Sequence, residues 1–543
     1  MLGLMQDYPL LVHTILDHAA LNHGEREMVT RSVEGPIRRY TLSNLRDRSL
    51  RVAKALHGEG IGLGDRVATM AWNTDRHLET WYGIMGLGAI CHTVNPRLFA
   101  EQLIYIFNHA EDRLLFVDTT FLPLAEAIAS QLPSIEKYIV LTDEAHMPES
   151  ALPNAVSYES WLAAVDSDFE WRRFDEKTAA ALCYTSGTTG NPKGVLYSHR
   201  SNVLHGLMVS QPDVFGLVSN DSVLPIVPMF HANAWAMTYA APAAGASLVM
   251  PGAAMDGQSI YQLLDGEKVT GTAAVPTVWL GLLQYLEDTG AKLPHLKRVV
   301  IGGAAVPRMM LEKFERDYDV EVIHGWGMTE MSPVGTTGQI KHATHHLQGD
   351  ARIDLKLKQG RTPYLVEMRI VDDEGNELPR DGKTFGHLLV KGPAVARAYF
   401  KYDEEILDKD GWFDTGDIAT IDELGYMQIT DRDKDVIKSG GEWISSIEIE
   451  NTAVGCPGVT EAAVIGISHL KWGERPLLLI VRQPDAEVDK TAVLTYLEGK
   501  IAEWWMPDEV LFIDEIPHTA TGKILKTELR ETYKDFAFTE KAG

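Results

Sequence analysis

The sequence predicts an α/β protein in which a large N-terminal domain of parallel sheets flanked by helices carries a β-rich subdomain and is followed by a small, mobile α/β C-terminal domain. Three observations lead there. Strand-length apolar runs alternate with helix-period segments as far as "LKRVVIGG" at Leu296–Gly303. Short runs divided by turn residues replace them from about Gln359. A length of 543 residues exceeds what one hydrophobic core usually supports.

In chain order, "TLSNLRDRSLRVAKALHGEG" places apolar residues at helical spacing, with Thr41 as its N-cap and Gly58 to Gly60 near its end. "DRVATMAW" then reads as a buried strand, and "DRLLFVD", "KYIVLTD", "VTGTAAVPTVWLGLLQYL" and "LKRVVIGG" repeat the alternation. Strand, crossover and strand is the grammar of a parallel sheet covered by helices. Beyond Gln359, "YLVEMRIVDDEGNELP", "TFGHLLVKG" and "GYMQIT" with the turns "DEGN" and "RDG" predict the β-rich subdomain at about 350–430. "DRDKDVIKSGGEWIS" concentrates charge before a Gly-Gly turn, which places the domain boundary near Asp433 and gives domains at 1–433 and 434–543. In the second, "SIEIENTAVG", "VTEAAVIGI", "RPLLLIVR" and "TAVLTYLEGKIAEWW" read as a compact α/β unit.

Charge excludes some functions. Fifty Lys and Arg against 76 Asp and Glu leave a formal charge of −26, which argues against nonspecific affinity for nucleic acid or anionic membrane. Cys91, Cys183 and Cys456 stand apart with no CxxC or histidine spacing, so neither a disulfide framework nor a zinc site is expected. Ser222 to Met255 lacks Asp, Glu, Lys and Arg, yet Pro225, Pro228, Pro242 and Pro251 interrupt it, and it reads as strand, turn and buried helix rather than a membrane span. "MLGLMQDYPLL" has no basic n-region followed by an apolar core, so export is not expected and the cytoplasm is the expected location.

The richest segment chemically is "YTSGTTGNPKGV", Tyr184 to Val195, directly after the apolar run "AAALC". Four Ser/Thr hydroxyls, three glycines and one lysine in twelve positions suit a loop whose backbone N–H groups converge on a phosphate. Pro192 stands where the common triphosphate loop GxxxxGK[ST] requires its second glycine, so a kinase-like or GTPase-like reading is disfavoured. "HATHH" offers His342, His345 and His346, with Asp350 nearby, but its glycines and polar neighbours read as an exposed loop rather than a metal site.

This loop resembles the phosphate loop of the adenylate-forming enzymes, which include acyl-CoA synthetases, peptide-synthetase adenylation domains and beetle luciferases. The resemblance continues in family order along nearly the whole chain through "PMFHANAW", "IGGAAV", "HGWGMTE", "WFDTGD", "DRDKDVIKSGGEWIS" and "PHTATGKILKTELR". "LGLMQDYPLLVHTILDHAA" and "HTVNPRLF" are similar to the bacterial short- and medium-chain acyl-CoA ligases, in particular those acting on 3-(methylthio)propanoate. The resemblance implies two half-reactions. A carboxylate first attacks the α-phosphate of ATP to give an acyl-adenylate and pyrophosphate, and the thiol of coenzyme A then displaces AMP.

Residue roles follow from the resemblance. Ser186, Gly187, Thr188, Thr189 and Gly190 would wrap the β- and γ-phosphates, with Lys193 holding the loop or its charge and glycines permitting close approach. Mg2+ would bridge ATP oxygens, with Thr185 and Glu330 as its protein-side contacts, Glu330 also being counted catalytic. The nucleotide would lie among Gly303, Ala304 and Ala305 and the run His324, Gly325, Trp326, Gly327, Met328 and Thr329, with the Trp326 face stacking on adenine where many relatives carry tyrosine. Asp417 and Arg432 would contact the ribose hydroxyls.

The acyl pocket would be formed by His231, Trp235, Gly302 and Pro333, His231 standing near the reacting carboxylate and being counted catalytic with Lys523 and Glu330. Trp235 would share a helical face with His231 if that segment is helical, its bulk favouring a short or medium chain. Lys523 is the principal catalytic residue, stabilising charge at the α-phosphate and carboxylate. Lys434 is the hinge about which the small domain would rotate, bringing Lys438, Ser439, Gly440, Gly441 and Trp443 to the cleft for coenzyme A. Partners are thus a small carboxylic acid, ATP and coenzyme A, with a homodimer the assembly the resemblance favours. Three alternatives stay open: a medium-chain ligase without methylthio preference, a stand-alone adenylation enzyme loading a carrier protein, and a noncatalytic nucleotide-dependent acyl sensor.

Overall fold

In the computed structural model, residues 1, 3–185, 191–439, 442–484, 486–518 and 524–538 are described. Ser186, Gly187, Thr188, Thr189, Gly190, Gly440, Gly441 and Lys523 lie outside the described residues, as does the Trp443 side chain.

Two sheets of short, mostly buried strands form the body of the molecule. One has the strand order Ala155–Ser157, Lys137–Val140, Leu114–Val117, Arg66–Met70, Ile90–Thr93, Ala179–Tyr184, Gly194–Ser198; all its pairs are parallel except the last. The other runs Val334–Thr337, Glu321–Gly327, Arg298–Ile301, Gly271–Ala274, Ser222–Pro225, Ser247–Met250, Glu27–Arg31, Ile37–Thr41, with antiparallel pairs only at its two ends. Helices Leu42–Gly58, Asp75–Leu87, His199–Ser210 and Met237–Ala244 join both sheets in one apolar core that includes Trp81, Tyr82 and Tyr239. Thr41 caps the first of these, its side chain accepting the Asn44 N–H.

Helix Asp75–Leu87 is buried at every position, so it has no polar face for solvent. Its charges are tolerated because each is paired: Asp75 with Arg38, Arg76 with Glu34 and Glu159, Glu79 with Arg48 and the Tyr158 hydroxyl. Among the described residues no helix is long and apolar enough to cross a membrane.

Strands Glu367–Val371, Gly386–Lys391, Phe413–Ile421 and Met427–Arg432 form an antiparallel sheet in the region expected to be β-rich, preceded by helix Gly349–Leu357. Its apolar face packs on Met331, Met328 and Trp326, which couples this sheet to the edge of the eight-stranded one. Beyond it lies a five-stranded sheet dominated by the long hairpin Val459–His469 and Gly473–Arg482, with helices Ser446–Val454, Lys490–Leu497 and Lys526–Thr532 around it. The chain is therefore mixed α/β, with parallel sheets flanked by helices and a small α/β unit at its C-terminal end.

The conditional helix at His231–Trp235 is corrected. Ala232, Asn233, Ala234, Trp235 and Ala236 all have positive φ, between 44° and 63°, and form a left-handed turn. Such a turn costs roughly 1–2 kcal/mol per residue for L-amino acids. The Asn233 carbonyl accepts the Ala236 N–H at 3.1 Å and the Thr238 hydroxyl at 3.2 Å, and near-complete burial of the turn holds it in place.

Candidate active site

The glycine and hydroxyl loop joins two antiparallel strands, with Tyr184 opposite Gly194. Its base is closed by one backbone and one side-chain contact: the Thr185 N–H donates to the Lys193 carbonyl at 2.9 Å, and the Lys193 N–H donates to the Thr185 hydroxyl oxygen at 3.1 Å. Gly194 is tightly packed: an added Cβ would stand 3.1 Å from Phe400 and Leu182 and 3.2 Å from Tyr184, so its neighbours would have to give way slightly. That closeness lets the Phe400 N–H donate to the Gly194 carbonyl at 2.8 Å. The Lys193 ammonium lies 4.8 Å from the Tyr399 ring centroid, within cation–π reach.

A cleft of about 360 Å³ opens between this loop and the end of strand Glu321–Gly327. Glycines shape that wall by necessity: a Cβ on Gly327 would lie 2.1 Å from the Pro333 carbonyl oxygen, and one on Gly302 would lie 2.9 Å from the Gly325 oxygen. Glu330, 6% exposed, is held from three sides. The Tyr197 hydroxyl donates to the neighbouring Thr329 carbonyl at 2.7 Å, the Ala396 N–H to the Glu330 carbonyl at 2.8 Å, and the Tyr399 hydroxyl to the Glu330 carboxylate at 2.8 Å. Burial and that carboxylate push the Tyr399 phenol up, so it remains a donor.

Trp326 donates its indole N–H to Asp417 at 2.9 Å, and the other Asp417 oxygen pairs with Arg432 Nε at 2.8 Å. Carboxylate, guanidinium and indole thus form one unit beside the cleft. Across it, Phe215, Trp235, Val275, Val300 and Val334 give an apolar end, with His231 on the lining. His205 fixes this wall: its Nε2 accepts the Val334 N–H at 3.2 Å, and burial holds the imidazole down to about 3, keeping it neutral. The Thr336 hydroxyl is spent on the Gln359 carbonyl at 2.6 Å.

Of the residues expected from the sequence, Thr185, Lys193, His231, Trp235, Gly302, Gly303, Gly325, Trp326, Gly327, Met328, Thr329, Glu330, Pro333, Arg432 and Lys434 line this one cleft. Others do not. His324 donates through Nδ1 to the Leu357 carbonyl at 3.0 Å, away from the lining. Ala304 is exposed and Ala305 half-buried, neither on the lining, and Asp417 reaches the site through Trp326 and Arg432. Lys438 and Ser439 lie on strand Ile437–Ser439 outside the cleft; the Ser439 hydroxyl oxygen accepts from Arg475 at 3.3 Å and the Lys438 N–H donates to Glu474. Sequence reasoning missed Asn191, Phe215, Ala232, Val275, Val300, Val334, Thr336, Tyr399, Asp435 and Ile524. Tyr399 sits in "ARAYFKYDE", where nothing marks one tyrosine over the next.

A carboxylate and a hydroxyl on one cleft, Glu330 and Thr185, are hard oxygen donors of the kind magnesium takes, so the residues present fit that ion. His342, His345, His346 and Asp350 are exposed, and Asp350 pairs with Arg316. Among the described residues they form no ligand cluster; the group that does, Glu34, Asp143 and His146, lies elsewhere, with Glu34 already bonded to Arg76 and Thr142.

The AMP-binding enzyme family matches residues 16–400, and the AMP-binding enzyme C-terminal domain matches residues 448–523. The chain is 48% identical to the 3-methylmercaptopropionyl-CoA ligase of Ruegeria pomeroyi, over 98% of this chain and 99% of that one. It is 46% identical to the medium-chain-fatty-acid–CoA ligase of Ectopseudomonas oleovorans, over 98% of both. The crystal structure of the anthranilate CoA ligase AuaEII in complex with anthranoyl-AMP superposes with a TM-score of 0.85 at 25% identity, covering 98% of this chain and 99% of the other. On this match in sequence and architecture, the chain belongs to the AMP-binding enzyme family, within which it is an acyl-CoA synthetase.

Proposed function

We propose that this acyl-CoA synthetase activates short- and medium-chain carboxylic acids, 3-(methylthio)propanoate among them, in the cytoplasm where its cosubstrates ATP and coenzyme A are found. The observation that carries the reading is the cleft's composition. Its acyl end is built from Phe215, Trp235, Val300 and Val334, while the cations on the lining, Lys193, Arg432 and Lys434, come from the loop and hinge segments. An apolar tail of limited length fits such an end. Names of relatives sharing 46–48% of the sequence point to the same acids.

In the first half-reaction a carboxylate oxygen attacks the α-phosphorus and pyrophosphate leaves. Bringing an anion to a polyanion requires charge neutralisation and in-line positioning above all. Loop residues 186–190 with Lys193 would hold the β- and γ-phosphates, Trp326 would stack on adenine, and Asp417 with Arg432 would fix the ribose. Magnesium, held by Glu330 and Thr185, would supply charge neutralisation at the phosphate oxygens. Lys523 would stabilise charge at the reacting centre; its support is that Ile524, the next residue, lines the cleft.

In the second half-reaction the thiol sulfur of coenzyme A attacks the acyl carbon, AMP leaves, and the thiol proton passes to phosphate or solvent. Rotation about Lys434 would exchange the Lys523 segment for the strand carrying Lys438 and Ser439, which here stands off the cleft. A homodimer completes the reading, with light scattering its check.

The test is pyrophosphate release and thioester formation with ATP, magnesium, coenzyme A and a series of straight-chain acids and 3-(methylthio)propanoate. Selectivity for long or dicarboxylic acids overturns the substrate reading, and acyl transfer to a carrier protein in preference to coenzyme A overturns the ligase reading. Lys523→Ala should abolish adenylation yet convert presynthesised acyl-adenylate to thioester. Equal loss of both steps counts against domain rotation.

A further inference from the structure

Glu330 and Lys193 carry opposite charges and both line the cleft, yet the contact each makes there is with Tyr399. Tyr399 stands between them. Its hydroxyl donates to Glu330 Oε1 at 2.8 Å, and its ring carries the Lys193 ammonium at 4.8 Å. The backbone around it is tied to both sides as well: the Ala396 N–H donates to the Glu330 carbonyl at 2.8 Å and the Phe400 N–H to the Gly194 carbonyl at 2.8 Å. One short segment therefore bridges the loop that ends at Gly194 and the turn that carries Glu330, with a single side chain engaging each charged group.

We propose that Tyr399 is a positioning residue that keeps Glu330 and Lys193 from pairing with each other, so that the carboxylate stays aimed at the magnesium ion and the ammonium at the triphosphate. This rests on the reading of Glu330 as the metal-side carboxylate and of Lys193 as part of the phosphate loop. The two halves of the side chain have separable duties: the hydroxyl orients Glu330, and the ring separates and seats Lys193.

Calorimetric titration of the full chain with ATP, acid omitted, tests this with and without magnesium. Tyr399→Phe keeps the ring and should weaken binding of magnesium-ATP by about tenfold, since a hydrogen bond to a charged group is lost, while leaving metal-free ATP binding within about twofold. Tyr399→Leu should weaken both, because Lys193 then falls onto Glu330. Steady-state rates should show a raised KM for magnesium-ATP in Tyr399→Phe, with conversion of presynthesised acyl-adenylate to thioester unchanged. Wild-type magnesium-ATP affinity in Tyr399→Phe overturns the proposal, as does metal-free affinity in Tyr399→Leu equal to that of Tyr399→Phe. Glu330→Gln separates the two levels. If it leaves magnesium dependence untouched, the metal reading itself fails; if it abolishes that dependence while Tyr399→Phe does not alter it, only the role of Tyr399 fails.

Discussion

Lys526 buries its ammonium 2.8 Å from the Glu450 carboxylate and hydrogen-bonds the Ser446 hydroxyl, which in turn donates to Asp431 at 2.5 Å. Asp431 belongs to strand Met427–Arg432, before the proposed hinge at Lys434, whereas Ser446, Glu450 and Lys526 follow it. The Ser446 N–H also donates to Asp431, at 2.9 Å, and the Ser445 hydroxyl donates to the Thr430 carbonyl at 2.6 Å, so the orientation seen here is tied across the hinge by buried polar contacts.

Lys526→Met should therefore act on stability and on domain position together. It leaves two buried carboxylates facing an apolar side chain, which costs on the order of 3–5 kcal/mol when one partner of a buried pair is removed. Calorimetry should show a lowered Tm, and half-reaction assays should show adenylation falling more than the conversion of presynthesised adenylate. A Tm equal to wild type would mean that Lys526 carries no such load.

Asp118 predicts a pH effect of defined sign. It is fully buried, it accepts the Trp72 N–H at 2.6 Å, and burial raises its carboxyl from the ordinary 3.8 to about 7. Between those values the folded chain keeps a proton that the unfolded chain has released. Its contribution to stability is thus complete below about 4 and is lost as pH rises toward 7. Asp118→Asn removes that dependence, so urea unfolding should show the variant gaining on wild type by about 2–4 kcal/mol between pH 5 and pH 8. A difference constant across that range refutes the assignment.

Legibility of the sequence divides along physical lines. "HGWGMTE" could be read because it needs a residue type with few other uses, a glycine at 327 where a Cβ would lie 2.1 Å from the Pro333 carbonyl oxygen, whereas the hydroxyls and glycines 186–190 of "YTSGTTGNPKGV" lie outside the described residues. His324 shows the limit, since belonging to a motif does not fix which way a ring points. The left-handed turn at Ala232–Ala236 has no local signature, because alanine and tryptophan adopt it only under the confinement of the surrounding core. Helix Asp75–Leu87, buried all round, has no polar stripe to betray its period. Tyr399 acquires its partners only through tertiary contacts with Glu330 and Lys193, separated from it by 69 residues in the first case.

Chain-length selectivity should follow Trp235 and Gly302. A Cβ on Gly302 would stand 3.2 Å from Trp235 Cη2, so the indole closes directly over that glycine. Trp235→Ala should move the optimum to longer straight-chain acids, with each added methylene gaining about 1 kcal/mol or more in kcat/KM until the enlarged pocket is filled. Gly302→Ala should narrow the same space and lower kcat/KM for every acid, most for the bulkiest. An unchanged chain-length profile in Trp235→Ala would remove Trp235 from the acyl pocket.

Sugar selectivity should follow Trp326, although the indole itself is expected to touch only the base. Its N–H and the Arg432 guanidinium engage different oxygens of Asp417, so together they fix the plane of the carboxylate that is proposed to receive the ribose hydroxyls. Trp326→Phe keeps a stacking face but frees one side of that carboxylate. The expected result is a KM for ATP raised about tenfold, the worth of one hydrogen bond to a charged group, with kcat little changed and the preference for ATP over 2′-deoxy-ATP reduced. Gly335→Ala supplies an independent arm, because its Cβ would lie 2.6 Å from the Trp326 ring and must displace the indole while leaving its chemistry intact. If both variants keep the wild-type ratio of kcat/KM for the two nucleotides, Asp417 does not depend on Trp326 for its aim, and the adenine and ribose subsites are built separately.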